Sequence, residues 1–238
     1  MQSPESRALP GRAGLSPAFV TITGLFIACL IVANIIAVKL VNLGGLILPA
    51  AVIIFPLSYL FGDVLTEVYG FARARLVIWL GFACNALVVL AILIAGALPG
   101  AAFWAAGDQA AYDRILGFTP RLLLASFLAY LVGEFANSVV LSRLKVRTAG
   151  RWLWLRTISS TLVGEGLDSL IFISVAFWGT ANIDLPSTIR TQWLFKTAYE
   201  VIATPLTYLI VGWLKRVEGV DHFDRGVDYN PLAVARET

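Results

Sequence analysis

Six carboxylates fall inside or at the ends of long apolar runs: Asp63, Glu67, Glu134, Glu165, Asp168 and Glu200. At about 2.5–3.5 kcal/mol each near the centre of a membrane helix, they would oppose insertion by roughly 15–20 kcal/mol in total. Such groups are kept where they face a shared polar interior, a solute path or an ion path. Glu165 and Asp168 are three residues apart, so one helical face carries both. Lys196 and Glu200 are four apart and lie one above the other. With Glu134, Asn34 and Asn137 they form one candidate set at or just outside the midplane, where a half-open chamber suits a small polar solute. Asp63 and Glu67 form a second set near an end of their span, followed closely by Arg73 and Arg75. That set reads either as an inner gate or as a salt-bridged helix end. Around Glu165, four hydroxyls (Thr157, Ser159, Ser160, Thr161) and the flanking Gly164 and Gly166 make the most polar stretch of membrane helix, open to close approach. Pro205 should kink the last span.

The elements that must hold these groups follow from composition. The chain has 238 residues, 58% hydrophobic and only 14% charged, with mean hydropathy +0.81. That is more apolar surface than one small core could hide, and a bilayer is the solvent that accommodates it. The runs predict an all-α integral membrane protein of six spans, at about 17–40, 46–65, 76–98, 121–141, 157–177 and 193–214. Residues 1–16 read as a disordered tail, 17–214 as the membrane domain and 215–238 as a polar tail. A connector with Trp104, Asp108, Tyr112 and Asp113 predicts a short interfacial helix. Of the 18 basic residues, 13 fall on the side of the two tails and 5 on the other, which puts both termini in the cytoplasm. Ala33 and Ala37 give the first span a small-residue face of the kind used for close packing, including against a second subunit.

Other chemistries are disfavoured. Two cysteines in apolar runs and one histidine, His222 in the tail, leave no metal site. There is no phosphate-binding loop, hence no ATPase in this chain and no cofactor expected. The basic residues sit in loops, which argues for membrane orientation and against nucleic acid. A Ser–His protease is excluded because His222 lies beyond the last span. Asp63 and Asp168 lie at different depths, which disfavours an aspartyl protease. A subunit that uses its acids only for assembly is the rival from another class.

Two runs carry a family resemblance. Asp63-Val-Leu-Thr-Glu-Val-Tyr-Gly70 with Arg73 and Arg75 is one; Ser160-Thr-Leu-Val-Gly-Glu-Gly-Leu-Asp-Ser169 with Lys196, Glu200, Thr204 and Pro205 is the other. The chain resembles, over about 18–225, the YhhQ-type queuosine precursor transporters, once a domain of unknown function placed among vitamin-uptake proteins. The resemblance implies six helices in the bacterial inner membrane, a fold like the substrate-binding components of energy-coupling-factor transporters, and no enzyme activity. It also implies import of 7-cyano-7-deazaguanine and 7-aminomethyl-7-deazaguanine for tRNA queuosine salvage. Under it, Glu165 or Asp168 would accept the ring N–H and exocyclic amine together. Asn34, Asn137 or Lys196 would donate to the ring carbonyl, and Phe172, Trp193, Tyr199 or Phe127 would stack on the base. Glu200 would pair with an aminomethyl cation. The alternative is a substrate-binding subunit for another vitamin-like molecule, working with a partner ATPase. Proton coupling, facilitated diffusion and self-association all stay open.

Overall fold

A computed structural model describes residues 16–43, 46–117, 120–179 and 184–233. Residues 1–15 and 234–238, at the far ends of the expected tails, lie outside the described residues. The order is α1 (Pro17–Ile36), a hairpin of β1 (Leu40–Leu43) and β2 (Leu46–Pro49), a 3-10 turn (Ala50–Ile53), α2 (Phe55–Tyr69), α3 (Phe71–Ala97), α4 (Ala106–Leu116), α5 (Pro120–Arg147), α6 (Leu153–Phe177) and α7 (Leu185–Glu218). The hairpin is antiparallel, with Leu40 opposite Pro49. The short helix expected in the connector is α4, and none of its residues is buried.

Four described helices are long and apolar enough to cross a bilayer on their own: α1, α3, α5 and α6. The other two expected spans differ from the sequence reading for separate reasons. The second, expected over 46–65, is instead a strand, a 3-10 turn and the 15-residue α2. At 1.5 Å per residue α2 is about 22 Å long, short of a hydrocarbon core of about 30 Å. Pro49 ends the strand and Pro56 stands in the first turn of α2, positions where a missing N–H costs little. The last, α7, has 34 residues but carries Arg190, Lys196 and Glu200. Beyond the exposed Arg190, its polarity points inward. Glu200, Thr204, Thr207, Val211 and Leu214 form one buried stripe at helical spacing, while Val201, Ile202, Leu209 and Trp213 are exposed. Pro205 lies within this continuous helix.

α2 is the central element. From Ser58 to Tyr69 every residue except Phe61 is buried, against α1, α3, α5 and α7. Phe26, Leu60, Val64, Val68, Phe71 and Ile78 form the apolar core around it. Ala33 is buried too, so half of the small-residue face of α1 serves packing inside the bundle. α5 and α6 cross with two glycines in contact. A Cβ on Gly164 would lie 2.8 Å from the Asn137 Cβ and 2.9 Å from the Gly133 carbonyl oxygen, and one on Gly133 would lie 3.1 Å from the Gly164 oxygen. Backbone meets backbone there, as small residues permit in membranes.

The segment after α7 folds back over the end of the bundle. The His222 amide donates to the Val68 carbonyl at 3.1 Å. Asp224 accepts from the Phe71 amide at 2.9 Å and from the Ser142 hydroxyl at 2.6 Å. Arg75 donates to the carbonyls of Asp228 and Asn230 at 2.9 and 3.0 Å, and Trp79 donates to that of Pro231 at 2.8 Å. The landing place is the turn at Gly70, whose φ of +86° suits glycine and whose absent Cβ would collide with His222 and Asp224. At the same end Ser16 caps α1 and donates to Glu218, as does Tyr69.

Two outcomes follow from this packing. Gly164→Ala should cost about 1–3 kcal/mol, because the new methyl meets backbone that cannot swing aside; thermal melts in detergent read it as a lower Tm. Asp221 lies in the folded-back segment. Partial burial works against its charge, but hydrogen bonds from Lys145 and Lys215 hold its carboxyl below the usual value of 3.8. A depressed folded value means stability that is fully present above pH 3.8 and lost as pH falls from there through the folded value. Asp221→Asn should therefore narrow its gap from the unsubstituted chain over that acidic window in pH-resolved melts.

Candidate functional site

Charged and polar side chains occupy the bundle interior in three tiers. The first borders a cavity of about 140 Å³ at the hairpin end. α1 contributes Asn34 to its wall and Ala37 follows just after that helix; the hairpin adds Pro49, α2 Phe55 and α3 Asn85. α5 adds Ser126, Phe127 and Tyr130, α6 adds Asp168 and Phe172, and α7 adds Gln192, Phe195 and Lys196. Lys196 Nζ lies 2.5 Å from Asp168 Oδ2 and 2.7 Å from Glu165 Oε2, and 4.3 Å from the centre of the Phe55 ring. The i,i+3 spacing read from sequence thus puts both carboxylates on one ammonium. Only Asp168 reaches the cavity wall; Glu165 sits behind it, 2% exposed. Across the cavity Asn34 Nδ2 donates to Asn85 Oδ1 at 2.9 Å, and the Ser126 hydroxyl donates to Asn34 Oδ1 at 3.5 Å.

The second tier lies deeper. Both oxygens of Glu134 and the hydroxyl of Tyr59 are buried with no hydrogen-bond partner among the described residues. Glu134 packs over Gly62, where a Cβ would stand 3.2 Å from its Oε2. Asn137 donates to Asp63 Oδ1 at 2.6 Å, and Glu200 is buried nearby on α7. Glu134, Asn137 and Glu200 therefore share the interior with Asp168 but do not line the cavity. Asp63 belongs with this tier through Asn137, not with Glu67 as its spacing suggested.

Glu67 anchors the third tier, at the end covered by the folded-back segment. It is fully buried and holds Arg156 at 2.7 Å, Lys215 at 2.8 Å and Lys145 at 3.7 Å. Lys145 and Lys215 also meet Asp221, at 2.6 and 2.9 Å. Arg73 and Arg75, expected beside this acid, are elsewhere. Arg73 lies over the Phe19 and Tyr69 rings, and Arg75 is buried against the chain after α7.

Among the aromatics named from sequence, Phe172 and Phe127 line the cavity. Trp193 and Tyr199 do not. The Trp193 indole donates to the Leu162 carbonyl at 2.9 Å, packed beside Gly166. Sequence reasoning passed over Gln192, although it precedes Lys196 by four residues and so shares its face. It also left Asn85 and Ser126 without a role, and it had no signal for Phe55 while the hairpin was read as helix.

The comparisons with known proteins now bear on this geometry. Residues 49–210 match the model of a family described as "Putative vitamin uptake transporter", a stretch that includes Asp63, Glu67, Glu134, Glu165, Asp168, Lys196 and Glu200. A probable queuosine precursor transporter of Bacillus subtilis is 35% identical over 179 residues, 74% of this chain and 77% of the relative. The queuosine precursor transporter of Escherichia coli is 32% identical over 127 residues, 52% of each chain. A probable queuosine precursor transporter of Haemophilus influenzae is 27% identical over 128 residues, 54% of this chain and 51% of the relative, so the last two matches span about half of those proteins. No solved structure matches. With family model, relatives and apolar helices in agreement, the chain is a multi-pass membrane protein, not an enzyme, and belongs to the vitamin uptake transporter family that holds the YhhQ-type queuosine precursor transporters.

Proposed function

We propose that this chain imports queuosine precursors, 7-cyano-7-deazaguanine and 7-aminomethyl-7-deazaguanine, across the bacterial inner membrane by alternating exposure of the central cavity. The observation that carries this reading is the Asp168–Lys196 pair on the wall of an aromatic-lined cavity. A deazaguanine offers a ring N–H and an exocyclic amine side by side, with a carbonyl next to them. A carboxylate accepts the two donors and an ammonium serves the carbonyl. Asp168 and Lys196 supply both groups from adjacent helices, already mutually oriented. Phe127 and Phe172 give the ring a stacking surface. Glu165, behind Lys196, shares its charge and fixes its position.

In this reading all six of α1, α2, α3, α5, α6 and α7 lie across the membrane, with α2 and the polar stripe of α7 shielded by the others. Both termini face the cytoplasm. Arg73, Arg75, Arg143, Lys145, Arg147, Arg151, Arg156 and Lys215 then share the cytoplasmic end, in keeping with the positive-inside rule. The cavity opens outward, and the Glu67 cluster with the segment after α7 closes the inward path. Asp63, Arg73 and Arg75 support that closure, Arg75 by holding the segment down.

Calorimetry and thermal shift on the purified full chain test the substrate. Both deazaguanines should stabilise it, and Asp168→Asn should weaken binding roughly tenfold or more, as expected where a buried partner is lost. Glu165→Gln should weaken it less. If neither base stabilises folded protein, or if Asp168→Asn binds as tightly as the parent, the assignment falls.

Closure has its own readout. With Cys29 and Cys84 replaced by Ala, Thr66→Cys should be protected from an impermeant thiol reagent applied from the cytoplasmic side. Adding Glu67→Gln should expose it and leave base binding in place. Full removal of the acid, Glu67→Leu, leaves Arg156, Lys145 and Lys215 without their common anion and should cost about 3–5 kcal/mol. Unchanged labelling in a folded Glu67→Gln protein would show that this cluster is a structural helix end only.

A further inference from the structure

The cavity has two polar poles, and only one is taken by the guanine-like edge. Asp168 packs against Gly133 of α5, where a Cβ would lie 3.0 Å from the Asp168 Cβ. Ser126 lies seven residues earlier on the same helix, roughly 10 Å along its axis. That separation is on the scale of a fused two-ring base carrying a short substituent. At the second pole the hydrogen bonds run in one direction. The Ser126 hydroxyl donates to Asn34 Oδ1, and Asn34 Nδ2 donates to Asn85 Oδ1. With its oxygen taken by Asn34, Nδ2 is the amide group that Asn85 has left for a ligand in the cavity that it lines, and the whole residue is 4% exposed. The pole therefore ends in a neutral donor. Tyr130 between the two poles spends its hydroxyl on the Ile78 carbonyl, at 2.9 Å. The remaining neighbours along this wall, Leu30, Ala33 and Phe127, are apolar.

We infer that Asn85, oriented by Asn34 and Ser126, reads the substituent at position 7 of the base and selects the neutral nitrile over the aminomethyl cation. This rests on the reading of the cavity as a deazaguanine site with the base edge on Asp168. A nitrile nitrogen is an acceptor without a proton, and an amide N–H satisfies it. An aminomethyl ammonium is donor only, and opposite Asn85 Nδ2 it would lose water without gaining an acceptor. The carboxylates that could offset its charge stand at the other pole: Asp168 and Glu165 on Lys196, Glu134 and Asp63 beneath, and Glu200 on α7. The opposite amide orientation would present Asn85 Oδ1 and reverse the preference, so the two orientations are separable by binding.

The test is calorimetry at pH 7 on the full chain in detergent with three probes: 7-cyano-7-deazaguanine, 7-aminomethyl-7-deazaguanine and unsubstituted 7-deazaguanine. The nitrile should bind roughly tenfold tighter than the amine. Asn85→Leu should bring the nitrile down to the level of 7-deazaguanine while leaving the unsubstituted base within about threefold. Asn85→Asp should favour the amine. Because Asn85→Leu could disturb folding, Ser126→Ala serves as the milder variant. It frees Asn34 to turn and should shrink the nitrile-to-amine ratio without moving 7-deazaguanine. Equal binding of nitrile and amine, a preference for the amine, or an equal loss for all three probes in Asn85→Leu overturns the inference and leaves the deazaguanine reading standing. Failure of all three to bind folded parent protein overturns both.

Discussion

A charge in hydrocarbon must be paired, shielded or neutral, and this fold is arranged around that constraint. The solution is to place a short helix with two carboxylates where lipid cannot reach it. α2 carries Ser58, Asp63, Thr66 and Glu67, all fully buried, and the longer helices surround it. Their outward faces are apolar: Leu80, Leu87, Leu90 and Leu93 on α3, Leu162, Val163 and Leu170 on α6. The bundle is thus inverted relative to a water-soluble protein, with carboxylates inside and leucines outside. α5 packs on α2, and the Gly133–Gly164 crossing brings α6 close against α5. The same crossing sets Asp168 against α5, at the border of the cavity.

Pairing is then graded along the axis. Glu67 has three cations, which leaves little reason for it to move while they stay. Glu165 and Asp168 share one. Glu134 has no partner among the described residues. A buried ion pair returns about what its desolvation costs, so its worth lies in the geometry it enforces more than in net stability. The crowded anion at Glu67 fixes an end of the bundle. The sparsely served pair at Asp168 leaves carboxylate lone pairs on the cavity wall.

How far the sequence could show this differs by element. The apolar runs marked α1, α3, α5 and α6, and the i,i+3 spacing of Glu165 and Asp168 was enough to expect both on one face. It was not enough to tell which one meets the cavity, because that depends on where Lys196 stands on another helix. α2 was misjudged in length because Leu46, Ile47 and Leu48 read equally as strand or helix. Partners distant in sequence were beyond reach. Glu67 looked nearest to Arg73 and Arg75, six and eight residues on, yet it is held by Arg156, Lys145 and Lys215. Backbone contacts of the final segment, such as Arg75 on the Asp228 and Asn230 carbonyls, leave no trace in side-chain pattern.

The two ends of the bundle are tied across the same pair of helices. α6 supplies Asp168 to the cavity and Arg156 to the Glu67 cluster; α7 supplies Lys196 to the cavity and Lys215 to the cluster. Along α7 those lysines are about 28 Å apart, with Pro205 between them in a helix that lacks its N–H at that point. The hydroxyl of Thr204 donates to the Glu200 carbonyl just before it, at 2.8 Å. The two ion clusters thus draw on the same helix pair at different heights, with Glu67 of α2 as the anion of the second. In the proposed alternating exposure of the central cavity, this shared helix pair is the element on which both ends act.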